Sequence, residues 1–314
     1  MGSLRNKMVG YLFAGQGAQY VGMGEDLYQS FPESKQIFDS ADKVLGFSVS
    51  KLCFKGPQEE LKRTVNCQPA ILTMSIAAWK AFRKVTSGKL QVTSYTAGLS
   101  FGEYSALVAA EAISFEDAVY LVRSRGQFME EEAGRKPGKM LSIVGLDLEV
   151  VKNICKDAGV EIANLNCPGQ TVVSGASFSI DTAQKLAKER GAKLAVNLEV
   201  SGAFHSSFMQ GAGVKLAREL EKIRILTPKI PVISNVTGRV MSSPEEIKQN
   251  LIKQVSSSVL WEDSMRFVHG QGVKKFYEFG PGKVLKGLMR RIDSTVEVIN
   301  IEKKEDIFGG QNAT

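Results

Sequence analysis

A glycine–serine motif between a predicted strand and a predicted helix constrains the fold more than any other feature of this sequence. Residues 92–97 are typical of a short strand and residues 103–110 of a helix, with the run G-L-S-F-G at 98–102 between them. Two glycines at this spacing permit a sharp strand-to-helix turn that presents the serine side chain. We therefore expect an α/β fold in which Ser100 is a candidate nucleophile. The alternative is a chance glycine–serine turn.

The predicted helix after the motif adds an electrostatic argument for Ser100. Free N–H groups and the helix dipole favour negative charge at a helix N-terminus. That environment suits an oxyanion that forms when a serine is acylated. Glu103 lies in the first turn of the same helix, where a carboxylate is stabilising by itself, and it is interpreted as structural.

A nucleophilic serine needs a base, and the composition restricts the choice because the chain contains only two histidines. His269 lies at a predicted helix C-terminus, where an imidazolium is stabilised by the dipole and needs no catalytic role. His205 lies in a loop of small residues before a predicted helix. By elimination His205 is the predicted base, with a structural hydrogen-bonding histidine as the alternative.

The predicted elements between residues 138 and 199 differ in order from the rest of the chain. After a linker at 134–138, the pattern predicts strand, helix, strand, strand, helix, strand in about 65 residues, an order typical of ferredoxin-like units. We predict a small ferredoxin-like subdomain at 136–200. It is inserted into a large catalytic α/β subdomain formed by 1–135 and 201–314, because both boundaries are turns that tolerate insertion.

Three local signals predict where other helices begin or are absent. Pro69 predicts the start of a buried apolar helix, because proline is favoured in the first turn. Ser243, followed by Pro244 and Glu246, predicts another helix start. The tail from Lys303 is expected to be polar and loose.

Several function classes are disfavoured by missing patterns. The four cysteines form no C-x-x-C pair, and with two histidines they offer no ordinary zinc cluster, so we predict no metal site and reduced thiols. The turn G-Q-G at 15–17 fails as a dinucleotide motif because Tyr20 stands where the third glycine belongs. No apolar run is long enough to span a membrane. A turn whose N–H groups face a developing anion fits residues 15–17 better.

Ordered motifs along most of the chain carry a family resemblance. They are G-Q-G at 15–17, G-L-S-F-G-E-Y at 98–104, R-G at 125–126, N-C-P-G-Q at 166–170, A-F-H at 203–205, and Gln254 upstream of Trp261. Together they resemble the malonyl-CoA:acyl-carrier-protein transacylases of type II fatty acid synthesis, over about residues 8–295.

The resemblance implies a ping-pong acyl transfer in fatty acid biosynthesis. Ser100 would attack the thioester of malonyl-CoA while His205 takes its proton, and the thiol of the carrier protein's phosphopantetheine arm would then attack the malonyl ester. Arg125 would bind the free malonyl carboxylate, which a planar guanidinium can contact with two hydrogen bonds. Without the resemblance, Arg125 and Arg123 could equally lie on a solvated helix face.

Four further residues receive roles from the resemblance. Backbone N–H groups of Gln16 and Phe101 would form the oxyanion hole. Gln254 would orient His205 through its backbone carbonyl, so that a dyad would suffice. Phe204 would crowd out a 2-methyl branch and select malonyl groups.

The motif around Ser100 departs from the common family pattern at two positions. Leu99 stands where many members have histidine, and Phe101 where leucine is usual. Neither side chain carries a proton in the mechanism, so we expect altered tuning and retained activity. Because Leu99 resembles the plastid-type members, the expected cytoplasmic location has the plastid stroma as its alternative.

The net charge of +7 is consistent with acidic partners. Acyl carrier proteins of this pathway are strongly acidic and CoA is polyanionic, so a basic surface would speed encounter. The last predicted helix contains a basic cluster, which could also be an ordinary solvated face: Lys283, Lys286, Arg290 and Arg291. We expect no nucleic acid, no membrane contact, a monomer, and no cofactor besides the substrates.

The predicted fold is α/β, with an α/β-hydrolase-like large subdomain and an inserted ferredoxin-like small subdomain. Two other functions are alternatives to acyl transfer. An esterase of the α/β-hydrolase type would need an acid between serine and histidine and an HGGG-like oxyanion loop, which the sequence lacks. A catalytically silent scaffold that binds carrier protein would not need Ser100, His205 and Arg125.

Overall fold

The computed structural model describes residues 8–86 and 93–309, and its first sheet contains six strands. These are β1 (Val9–Phe13), β2 (Thr93–Gly98), β7 (Val232–Ile233), β8 (Val240–Met241), β10 (Lys275–Phe279) and β11 (Glu297–Ile301). Their order is β11-β10-β1-β2-β7-β8. All neighbours are parallel except β7 and β8. The predicted α/β fold is confirmed.

Within the described residues, the second sheet contains five strands. These are β3 (Gly138–Val144), β4 (Glu161–Cys167), β5 (Gln170–Ala176), β6 (Leu194–Asn197) and β9 (Val259–Leu260), in the order β6-β3-β5-β4-β9. The first four are antiparallel, with the ferredoxin-like order that the sequence predicted. The strand β9 pairs in parallel with β4 and comes from outside 136–200. The division into two subdomains at 136 and 200 stays a prediction.

Helices surround both sheets. The first seven are α1 (Glu25–Ser30), α2 (Pro32–Leu45), α3 (Val49–Lys55), α4 (Gln58–Lys62), α5 (Thr64–Val85), α6 (Gly102–Ala109) and α7 (Phe115–Arg135). The others are α8 (Leu148–Ala158), α9 (Ser177–Glu189), α10 (Gln210–Leu220), α11 (Pro244–Gln254), α12 (Trp261–Gly270), α13 (Val284–Ile292) and α14 (Lys304–Gly309). The predicted start of α11 is confirmed, because the Ser243 side chain accepts a hydrogen bond from the Glu246 N–H at 3.2 Å.

The central strand β1 positions the loops that matter for function. All five of its residues are buried, as expected for a parallel strand covered on both faces. Its last residue, Phe13, is in register with Gly98 of β2 and with Phe279 of β10. The carboxyl ends of these strands therefore meet at one sheet edge, where ligands bind in open α/β sheets. The turn at 15–17 and the serine motif at 98–102 both leave the sheet there.

Pro69 does not start a helix, so that prediction is wrong. It lies inside α5, which begins at Thr64 and is buried along most of its length. A proline inside a helix leaves the carbonyl four residues earlier without its N–H donor. That carbonyl belongs to Val65, and it accepts a hydrogen bond from Arg123 Nη1 of α7 at 2.9 Å. A contact between two helices thus compensates for the lost helical bond.

Residues 310–314 of the expected loose tail lie outside the described residues, and the segment 304–309 is more ordered than the sequence predicted. It forms α14, whose Ile307 is buried and whose Phe308 ring lies 5.8 Å from the ring of Phe31. The Lys304 N–H donates to Asp26 Oδ2 at 2.8 Å. These distant contacts hold a polar segment in a helix.

Candidate active site

Ser100 lies on a tight turn between β2 and α6, in the left-handed backbone region with φ of 53°. This region is unfavourable for a residue with a side chain and is common at functional sites. A Cβ atom at Gly98 would lie 2.0 Å from the backbone of Gly102, and one at Gly102 would lie 2.6 Å from the Phe13 oxygen. Both flanking glycines are therefore required by close backbone contacts.

The structure brings His205 to Ser100. His205 Nε2 lies 2.8 Å from Ser100 Oγ, and His205 Nδ1 lies 2.9 Å from the backbone oxygen of Gln254. A carbonyl oxygen only accepts hydrogen bonds, so Nδ1 carries the proton and Nε2 is free to accept the serine proton. Burial, aided by the nearby Arg125 charge, lowers the pKa of His205 to about 4. The imidazole is therefore neutral at physiological pH.

Arg125 of α7 reaches the same serine oxygen from another side. Its Nη2 donates to Ser100 Oγ at 3.1 Å and to Gln254 Oε1 at 3.2 Å, and its Nη1 donates to Gln68 Oε1 at 2.8 Å. Arg125 is only 1% exposed. It does not lie on a solvated helix face, and its guanidinium directs a positive charge at the nucleophile.

The two predicted oxyanion donors flank the serine. Phe101 follows Ser100 and occupies the N-cap position of α6, where backbone N–H groups have no partner within the helix. Gln16 lines the same cavity as Ser100. A Cβ atom at Gly15 would lie 2.8 Å from the Leu99 oxygen, so the turn at 15–17 lies directly against the serine turn. Their roles as oxyanion donors stay predictions.

Asn235 is a site residue that the sequence reasoning missed. It follows β7 and is buried, and its Oδ1 accepts from the Ser100 N–H at 2.7 Å while its Nδ2 donates to the Gly98 oxygen at 2.8 Å. One side chain thus holds both ends of the strained turn. An asparagine at the carboxyl end of a predicted strand beside β2 was the available signal.

Glu103 lies in the first turn of α6, as expected, but it is fully buried. Its Oε2 accepts from the Asn235 N–H at 2.9 Å and from Gln254 Nε2 at 2.8 Å. Burial raises the pKa of Glu103 to about 7. A carboxyl group in this environment does more than interact with the helix dipole, and no local sequence pattern indicates that it is buried.

These groups open into a cavity of about 510 Å³ between the two sheets. Phe204, next to His205, lines its wall, and Leu198 and Val284 contribute apolar surface. The basic helix α13 borders this cavity through Val284 and Leu288. The N-cap residue Lys283 and the three basic residues within α13 are exposed, and Arg291 also donates to Gln170 Oε1 at 3.0 Å.

The second histidine and other candidate sites lie apart from this cavity. His269 Nδ1 lies 3.1 Å from Asp293 Oδ2, and His269 does not line the cavity. Across residues 8–86 and 93–309, no group of three or more His, Cys, Asp or Glu could hold a metal ion. Within the same ranges, no helix is both long and apolar enough to cross a membrane.

Residues 10–293 match the family model described as the acyl transferase domain. The chain belongs to this family of acyltransferases. It is 46% identical over 304 residues to the malonyl CoA-acyl carrier protein transacylase of Bacillus subtilis, covering 95% of each protein. The corresponding protein of Staphylococcus aureus is 40% identical over 303 residues, covering 95% of this chain and 96% of the relative.

Solved structures give the same assignment. The transacylase of Coxiella burnetii superposes with a TM-score of 0.94 at 37% identity, covering 98% of this chain and 97% of that one. A malonyl-transacylase solved in complex with its type II PKS acyl-carrier protein also gives 0.94 at 37% identity, covering 98% and 100%. The resemblance stated from the sequence motifs is confirmed.

Proposed function

We propose that this chain transfers the malonyl group of malonyl-CoA to the phosphopantetheine thiol of an acyl carrier protein, through a malonyl ester on Ser100, in fatty acid biosynthesis. The names of the B. subtilis and S. aureus relatives support the reaction. The complex of a related malonyl-transacylase with its carrier protein supports the class of partner.

One observation carries the proposal: a base and a cation meet at a single serine oxygen. Ser100 Oγ lies 2.8 Å from His205 Nε2 and 3.1 Å from Arg125 Nη2. An ordinary serine hydrolase needs a base but has no use for a buried guanidinium at the nucleophile. A substrate whose acyl group ends in a carboxylate supplies the matching charge.

In the first half-reaction, Ser100 Oγ attacks the thioester carbon of malonyl-CoA and its proton passes to His205 Nε2. The carbonyl oxygen becomes an anion that the backbone N–H groups of Gln16 and Phe101 would stabilise. Collapse of this intermediate breaks the carbon–sulfur bond. His205 returns the proton to sulfur, and CoA leaves as a thiol.

The carboxylate of the malonyl group binds Arg125 during this step. In the free protein, Nη2 already donates toward Ser100 Oγ, so the guanidinium lies within reach of a group attached to that oxygen. The nearly complete burial of Arg125 strengthens the contact because little water screens it. Phe204 lines the same cavity and restricts the space available to a branch on the acyl chain.

In the second half-reaction, the phosphopantetheine thiol attacks the malonyl ester and His205 takes its proton. Collapse breaks the bond between the acyl carbon and Ser100 Oγ, and His205 returns the proton to that oxygen. The base alternates between accepting and donating a proton, which requires a neutral imidazole at the start. The hydrogen bond from Nδ1 to the Gln254 oxygen holds the required tautomer.

Acidic partners fit the surface at the mouth of the cavity. Exposed Lys283 and Lys286 lie on the α13 side, where an acidic carrier protein would be attracted while its arm enters the cavity. The proposal includes a monomer that acts without a further cofactor. It also includes a cytoplasmic location, favoured by the bacterial origin of the relatives, with the plastid stroma as the alternative.

Intact-mass measurement tests the proposal. Incubation with malonyl-CoA should add the mass of one malonyl group to the enzyme. When reduced carrier protein is then added, the enzyme should lose this mass and the carrier protein should gain it. The Ser100→Ala variant, checked for an unchanged melting temperature, should remain unmodified. Absence of any adduct would favour a binding scaffold. Loss to water as fast as loss to the carrier would favour an esterase.

A further inference from the structure

Arg125 is a buried cation whose recorded hydrogen-bond partners are all neutral. They are the side-chain oxygens of Gln68, Gln254 and Ser100. Among the described residues, Arg125 takes part in no salt bridge within 4.0 Å. A buried charge is costly unless an opposite charge compensates for it. The compensating group must therefore act from a greater distance.

Glu103 is the buried anion on the far side of Gln254. It is fully buried, and its Oε2 is bound by Gln254 Nε2 at 2.8 Å and by the Asn235 N–H at 2.9 Å. Burial raises the pKa of Glu103 to about 7, while its two hydrogen bonds and the positive charge of Arg125 favour the ionised form, which predominates above that pH. Two buried opposite charges thus flank one side-chain amide.

The two charges determine how the Gln254 amide points. Its oxygen accepts from Arg125 Nη2 at 3.2 Å, and its nitrogen donates to Glu103 Oε2. A flipped amide would place its N–H groups against the guanidinium and its oxygen against the carboxylate. In the observed orientation, the amide nitrogen also donates to the Ser100 backbone oxygen at 3.0 Å.

We propose that Glu103 is the counter-charge of Arg125, transmitted through the Gln254 amide, and that it sets how strongly Arg125 holds the carboxylate of the acyl group. Glu103 is thus a specificity-determining positioning residue. The inference rests on the proposed function, because it assumes that Arg125 binds the malonyl carboxylate.

The Gln254 amide lies between Glu103 and Arg125, so the compensating carboxylate does not occupy the position that the substrate carboxylate would take. A carboxylate paired directly with Arg125 would occupy the donors that the malonyl group needs. With Gln254 between the charges, Nη2 still points at Ser100 Oγ. The anion then moderates the field at Arg125 without competing for its hydrogen bonds.

Binding to an unreactive protein tests the effect on specificity. In the Ser100→Ala background, titration calorimetry measures dissociation constants for malonyl-CoA and acetyl-CoA with and without Glu103→Gln. Because burial raises the pKa of Glu103 to about 7, the titrations are run at about pH 8.5, where the group is ionised.

We expect Glu103→Gln to tighten malonyl-CoA binding at least about threefold and to change acetyl-CoA binding less than about twofold. Equal changes for both ligands, or none, would overturn the proposal and leave Glu103 a scaffold residue. If the background protein itself does not prefer malonyl-CoA, the proposed role of Arg125 fails instead. The two failures are therefore distinguishable.

A stability cycle tests the charge coupling without substrate and covers the case in which Glu103→Gln does not fold. Removing one partner of a buried charge pair destabilises more than removing both. The double variant Glu103→Gln with Arg125→Gln should therefore fold, and should melt higher than Glu103→Gln alone. A double variant no more stable than Glu103→Gln would contradict the proposal.

Glu278 supplies the matched control for this cycle. It is also a buried carboxyl group, 1% exposed, and accepts two backbone hydrogen bonds, from Leu285 and Lys286. It has no recorded contact with Gln254 or Arg125. The effects of Glu278→Gln and Arg125→Gln on the melting temperature should add.

Discussion

His205 Nδ1 lies 2.9 Å from the backbone oxygen of Gln254, so the main chain, rather than an acidic side chain, contacts the imidazole of the proposed base. A backbone oxygen cannot be removed by substitution and does not titrate. The tautomer of His205 is thus independent of any carboxylate, including the buried Glu103 nearby. The side chain of Gln254 can therefore contact Arg125 and Glu103 while its backbone oxygen contacts His205.

Substitution of Gln254 should be much less damaging than substitution of His205. In Gln254→Ala the carbonyl that orients the base remains, and only the side-chain contacts are lost. We expect about a tenfold lower transfer rate, against roughly 10²- to 10⁴-fold for His205→Ala. Steady-state transfer to carrier protein measures both. Equal losses would mean that the backbone contact is not what orients His205.

Arg125→Ala should separate malonyl from acetyl substrates. A hydrogen bond to a charged group contributes about 1.5–3 kcal/mol, so kcat/KM for malonyl-CoA should fall roughly 10- to 100-fold. Acetyl-CoA has no carboxylate, so its rate should change little. Parallel single-turnover acylation of Ser100 with each thioester gives the comparison. Losses of the same size for both would remove Arg125 from carboxylate binding.

On the acid side, the pH at which the acylation rate falls by half should lie far below the usual pKa of histidine. His205 accepts a proton only when neutral, and burial lowers its pKa to about 4, with Arg125 contributing. At saturating malonyl-CoA, where changes in substrate binding do not affect the rate, acylation should therefore be constant above about pH 5 and halve near pH 4, as measured by rapid acid quench after a pH jump. An inflection near 6.5 would contradict this environment. In Arg125→Ala the inflection should move upward, because a positive charge near the imidazole is lost.

Two inactive serine variants should differ in stability. Ser100 has φ of 53°, which an alanine tolerates poorly and a glycine readily. Ser100→Gly should therefore be more stable than Ser100→Ala by about 1 kcal/mol. Chemical denaturation of both variants provides the measurement, with the absence of acylation as the check that each is inactive. Equal stabilities would show that the turn stores no strain at this position.

Charge reversal on α13 should weaken the second half-reaction only. Lys286→Glu with Arg290→Glu places negative charges where an acidic carrier protein is expected to dock. The KM for carrier protein should rise several-fold at low salt, while acylation by malonyl-CoA stays within about twofold. Lys156→Glu with Lys188→Glu reverses the same number of charges at exposed lysines on α8 and α9, outside the cavity, and is the matched control. An equal effect of the control would indicate a net-charge effect without a docking site.

Local sequence patterns predicted much of the fold because the relevant forces act between near neighbours. The strand, the two glycines and the helix around Ser100 appear as expected, since the turn needs only adjacent residues. Pro69 was misread because its compensating partner, Arg123, is on another helix. The same holds for α14, which depends on Asp26 near the other end of the chain.

The site residues divide in the same way, into those indicated by local patterns and those that depend on distant contacts. Ser100 was indicated by a local motif and His205 by the scarcity of histidine, and the fold brings the two side chains together. Asn235 was missed because its three hydrogen bonds go to residues more than 130 positions away. The burial of Glu103 was likewise invisible, since a first-turn carboxylate is ordinarily exposed. The catalytic roles themselves stay predictions.

The strand β9 has a mechanical consequence. It begins five positions after Gln254 and pairs with β4, which belongs to the second sheet. If the two sheets moved apart, β9 would move with β4. The segment 255–258 would then displace Gln254, whose backbone oxygen contacts His205. The width of the cavity entrance and the alignment of His205 with Ser100 are therefore coupled. A molecule whose sheets move apart should also lose the geometry needed for proton transfer.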